Sequence, residues 1–151
     1  MTRYQLLGLT CLLLAGCGGA VGVGGPGSDS LAKVTVKQAS PASIRPATVA
    51  VFREQGFSVR SETSSSVTFE KVGGRQAEIA WKTVGNPNPV IIRPTVSWSP
   101  MGADQVRLMC DVEIAQESTV YGETVRQPML AGKSSYSGLL KEIKRRVESQ
   151  R

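Results

Sequence analysis

Gln105-Val106-Arg107-Leu108-Met109-Cys110-Asp111-Val112-Glu113-Ile114-Ala115 is the stretch that decides the fold. Val106, Leu108, Cys110, Val112 and Ile114 alternate with a set containing Arg107, Asp111 and Glu113. A period of two sends successive side chains to opposite faces of a strand, so this strand has one apolar and one polar face. The same period runs upstream to Phe57. Phe57 and Val59 make one strand, Ser64-Ser65-Ser66 a turn, and Val67 and Phe69 the next strand. Gly73-Gly74 is a hairpin signal. It leads to Ala77, Ile79 and Trp81 facing one way and Gln76, Glu78 and Lys82 the other. Asn86-Pro87-Asn88-Pro89 is a loop, and Val90 to Trp98 a further strand, whose Pro94 places it at an edge or a bulge. Met101-Gly102-Ala103-Asp104 then turns into the deciding stretch. Connections this short require antiparallel pairing.

The flanks add two helices and one strand. Ala32, Val34 and Val36 alternate with Lys33, Thr35 and Lys37, a strand with one wet face. Ser40 or Ser43 caps a helix carrying Ile44, Ala47, Val51 and Phe52 at helical spacing, with prolines tolerated in its first turn. Gly56 stops it. The chain loosens from Gln116 to Lys133, then closes on Tyr136, Leu139, Leu140, Ile143 and Val147, the apolar stripe of an amphipathic helix. The expected fold is α+β, in the order β-α-β4/5-α: a curved antiparallel sheet of five to six strands with both helices on one face, which hides every apolar surface at once. This element order over residues 31–150 is similar to the helix-grip or TATA-binding-protein-like architecture. That architecture recurs in periplasmic lipoproteins, the globular domains of BamC among them. The resemblance implies a fold and little about function.

The first 16 residues have the parts of a secretory signal peptide: Arg3, the apolar run Leu6 to Ala15, and the small pair Ala15-Gly16. The run is about half of the roughly 20 residues that a membrane span needs. Leu14-Ala15-Gly16-Cys17 resembles the lipobox of bacterial lipoproteins. The resemblance implies a diacylglyceryl group on the Cys17 thiol, cleavage before it, and acylation of the new amino group, palmitate being the typical chain. Gly18 in place of Asp implies, by the same likeness, sorting to the outer membrane, facing the periplasm. Each buried CH2 contributes about 0.8 kcal/mol, and two or more chains anchor stably where one does not. Residues 17–30 then form a lipidated tether. Gly18 to Ser30 holds six glycines and no large side chain, and should span on the order of 20 Å. Residues 31–151 are long enough for one domain with its own core.

The chemistry-bearing residues are few. There is no histidine, which removes Ser-His-Asp and Cys-His catalysis and most zinc sites. Lys133-Ser134-Ser135 is the one adjacent Ser-Lys candidate. Asp111 and Glu113, two apart on a strand face, could bring their carboxylates together. No metal or cofactor is expected, and Cys110 reads as a small buried hydrophobe. Lys141, Lys144, Arg145 and Arg146 lie opposite the apolar stripe of the last helix, as a contact for anionic headgroups or an acidic partner. The formal charge of +6 points the same way; nucleic acid is not a partner that an exported protein would meet. The expected function is a non-enzymatic, membrane-anchored module that binds an envelope protein or anionic lipid. The alternative is a carrier of lipid or a small apolar ligand, in a pocket lined by Ile79, Trp81 and Trp98.

Overall fold

The structure, a computed structural model, describes residues 31–74, 88–118, 122–126 and 133–150. Its elements are β1 (Ala32–Lys37), α1 (Pro41–Glu54), β2 (Ser58–Glu62), β3 (Ser66–Val72), β4 (Val90–Pro100), β5 (Gln105–Ser118), β6 (Gly122–Arg126) and α2 (Lys133–Ser149). Among the described residues the fold is α+β, with one six-stranded antiparallel sheet and two helices.

The deciding stretch is the spine of the sheet. β5 runs for 14 residues, and β4 pairs along one side of it from Val90↔Gln116 to Pro100↔Val106. Its other side is shared by β1, with Ala32↔Cys110, and by β6, with Ile114↔Arg126. β3 and then β2 extend the sheet beyond β4. Across the strands, Val34, Leu108 and Trp98 fall in one row, and Ala32, Cys110, Val96 and Val67 in the next. These apolar rows form one face.

Both helices cover that face. α1 packs against β2, β3 and β4, α2 against β1 and β5, and the two helices touch each other. Ile44, Ala47, Val51 and Phe52 of α1 and Leu140, Ile143 and Val147 of α2 join Val36, Val67, Phe69, Val96, Leu108 and Cys110 in a single buried cluster. Phe52 stacks on Phe69 with ring centroids 4.4 Å apart. Burying one such side chain is worth about 1.5–3 kcal/mol.

Ser40 is the cap of α1. Its hydroxyl accepts from the Ser43 amide while the Ser43 hydroxyl accepts from the Ser40 amide, the reciprocal pair of a capping box. Pro41 occupies the first turn, but Pro46 is thereby left inside the helix, beyond the positions where a missing amide hydrogen is free of cost. Gly56, at φ 80°, adopts the left-handed conformation that ends the segment.

Two expectations are corrected. β4 is a central strand, so Pro94 marks neither an edge nor a bulge. In the β3–β4 ladder Thr68 pairs with Thr95 and Lys71 with Ile92, while the two intervening rungs at Arg93 and Pro94 are absent. The strand tolerates the proline by losing pairing on one side and keeping Pro94↔Val112 on the other. The sheet's bulge lies in β2, between Val59 and Ser61. The stretch expected to be loose also contains β6. Gly122 to Val125 are exposed and carry no alternating apolar pattern, so this strand owes its existence to the free edge of β5. The strand expected at Ala77, Ile79 and Trp81 lies outside the described residues.

Candidate functional site

The basic face of α2 is largely occupied by intramolecular ion pairs. Arg146 reaches across to α1 and donates to both carboxylate oxygens of Glu54, at 2.7 and 2.6 Å. It also donates to Glu142 at 2.8 Å. Arg145 grips the same Glu142 with two bonds of 2.8 and 2.6 Å. The two guanidinium groups hold the Glu142 carboxyl down at about 2, and Arg146 holds the Glu54 carboxyl below its ordinary value. Lys144 lies 3.9 Å from Glu148, whose carboxylate accepts from the Lys37 backbone amide at 3.2 Å. Lys141 is exposed. Of the four expected contact cations, Arg146 thus links α2 to α1, Arg145 is paired within α2, and the lysines face elsewhere.

Asp111 and Glu113 are engaged separately. Asp111 is half-buried on β5, where desolvation raises its pKa against the opposing pull of the Leu31 amide and the Lys33 charge. Glu113 is exposed and sits across from Arg93. Lys133, Ser134 and Ser135 form the exposed first turn of α2, so the lysine is not desolvated as Ser-Lys chemistry requires. The Cys110 thiol is fully buried, and burial pushes its pKa well up. Tyr136, near it at the base of α2, is pushed up to about 12 by burial. Among the described residues, no three His, Cys, Asp or Glu side chains are grouped to hold a metal ion.

Trp98 is 3 % exposed and belongs to the core cluster; its indole N–H has no hydrogen-bond partner among the described residues. A surface depression of about 420 Å³ opens between Ser40 and Ser43 of α1, Asp104 in the β4–β5 turn, and Val147 of α2. It does not reach Trp98. Ile79 and Trp81, the other two expected pocket residues, lie outside the described residues, as does Cys17.

The sheet face turned away from the helices holds a charge network that the sequence did not reveal. Arg93, its side chain 11 % exposed, donates to Glu123 of β6 at 2.6 Å and lies 3.9 Å from Glu70. Glu70 in turn pairs with Arg60 at 2.8 Å. Members of this network are up to 63 positions apart in the chain (Arg60 to Glu123); their meeting follows from strand order, which no local pattern encodes. Next to it, Val72, Ile91, Ala115 and Val125 line up across four strands. Val72 and Val125 are 61 % and 45 % exposed.

Comparison with known proteins finds no family model and no curated sequence that matches this chain.

Proposed function

We propose that this protein is a lipid-anchored module of the bacterial cell envelope, held at a membrane surface by Cys17 and acting by binding rather than by catalysis. The observation that carries the reading is Leu14-Ala15-Gly16-Cys17, placed behind a short apolar run and ahead of the glycine-rich Gly18–Ser30. The residues described above fit it. The chain has no histidine, its one described cysteine is buried, and its two candidate carboxylates have separate partners. A module rather than a carrier is favoured by Trp98, which sits among packed side chains away from the depression near Ser40. The partner is an envelope protein or the anionic lipid surface itself. In finer detail, two helices against one face of an antiparallel sheet suit the helix-grip or TATA-binding-protein-like arrangement of other lipoprotein domains.

The test is Cys17→Ser with membrane fractionation and metabolic palmitate labelling. The native chain should carry label and sediment with membranes, and the variant should do neither. A native chain that is unlabelled and free in the periplasm would refute the proposal.

A further inference from the structure

Arg146 and the lysines of α2 fall on different flanks. At about 100° per residue, Lys133, Lys141 and Lys144 lie within an arc of about 80° on the side away from α1. The arginine side is fixed by Arg146 on Glu54 of α1. The lysine side is fixed by Glu148, which pairs with Lys144 and accepts from the Lys37 amide of β1. β1 is the end strand of the sheet. Its Ala32 and Val36 are buried beneath the helices, so Lys33 and Lys37 project from the opposite face of the same edge, exposed. Five lysines from two layers therefore border one edge, with Glu148 among them and Asp111 beside Lys33.

We infer that this β1–α2 edge is the surface that lies against an anionic bilayer, and the inference rests on the lipid anchor proposed above. Charge complementarity argues for that occupant. So does the place where the undescribed N-terminal chain ends. Residues 18–31 lead from Cys17 directly into β1, and the glycine-rich composition of this stretch gives an expected reach on the order of 20 Å. β1 itself rises about 3.3 Å per residue, so Lys37 stands about 17 Å from the point where the tether joins. The anchor thus brings this edge near the headgroups. Lysines are also a common device for keeping an end strand from pairing with another chain; the experiment separates that role from lipid contact.

The lipidated full chain is reconstituted into vesicles of phosphatidylcholine alone or of phosphatidylcholine with phosphatidylglycerol. Lysine acetylation rates are then read by peptide mass spectrometry. Lys133, Lys141 and Lys144 should react severalfold more slowly on the anionic vesicles and recover at about 1 M salt, where the Debye length shrinks to about 3 Å. Lys71, whose ammonium is held by the Gln55 carbonyl, should react alike on both. Lys133→Glu, Lys141→Glu and Lys144→Glu should each lower the docked-to-undocked ratio on the order of fivefold or more, about 1 kcal/mol being the worth of one lysine near such a surface. Equal rates on the two vesicles overturn the inference, and that is the result expected if the lysines only guard the edge. Protection in native envelopes but not on anionic vesicles overturns it too, in favour of a protein partner. Failure to float with neutral vesicles would refute the anchor instead, a separate result from the same samples.

Discussion

Leu140→Ala tests the packing of α2 most sharply. Leu140 is fully buried in the cluster that joins α2 to the sheet. Truncation removes three carbon atoms, about 2.4 kcal/mol at about 0.8 kcal/mol per CH2, and the unfilled space adds to this within the usual range of about 2–5 kcal/mol for such changes. We expect a loss of about 3 kcal/mol. That is at least a fifth of the total stability of a domain this size, about 5–15 kcal/mol. The assay is urea unfolding followed by tryptophan fluorescence, with Trp98 as a buried reporter. With a slope of about 1–3 kcal/mol/M, the midpoint should fall by about 1–3 M at unchanged slope. Val72→Thr, at a position 61 % exposed, is the control and should stay within about 0.5 kcal/mol of the parent. If Leu140→Ala costs no more than the control, α2 does not pack on the sheet in the way described.

Ser40→Ala removes the hydroxyl that accepts from the Ser43 amide at the cap of α1 and should cost about 1 kcal/mol by the same unfolding assay. Glu54→Gln removes the charge and one of the two oxygens that accept from Arg146; because Glu54 is half exposed, the unfolding midpoint should fall only slightly, and the difference should shrink when the titration is repeated at high salt. Cys110 should resist an aromatic disulfide reagent in the folded protein and react fully in urea, and rapid labelling of the native chain would contradict its burial. In alkali, the folded protein keeps Cys110 and Tyr136 protonated above their ordinary values of 9.0 and 10.0. The unfolded chain loses those protons first, so the contribution of these two groups is constant below about pH 9 and stability declines from there towards pH 12. A melting temperature unchanged between pH 8 and 11 would count against this.

What was legible in the sequence was whatever a local period encodes. Val106 to Ile114 announced β5 and the burial of Cys110, and Ile44 to Phe52 and Tyr136 to Val147 announced the helices. Pro94 was misread because its cost depends on which neighbour loses a rung, and the strand order that decides this is not local. β6 was missed because Gly122 to Arg126 has no pattern of its own and is held by the free edge of β5. The basic helix looked uniform as a sequence. Only the packing of α2 against α1 separates Arg146, held by Glu54, from the lysines bordering β1, since Glu54 and Arg146 are 92 positions apart.

The most direct measurement of the account is the intact mass of the protein extracted from membranes. It should match a chain beginning at Cys17 with a diacylglyceryl group on sulfur and one further acyl chain on the amino terminus. A mass equal to an unmodified polypeptide, wherever it begins, would contradict it.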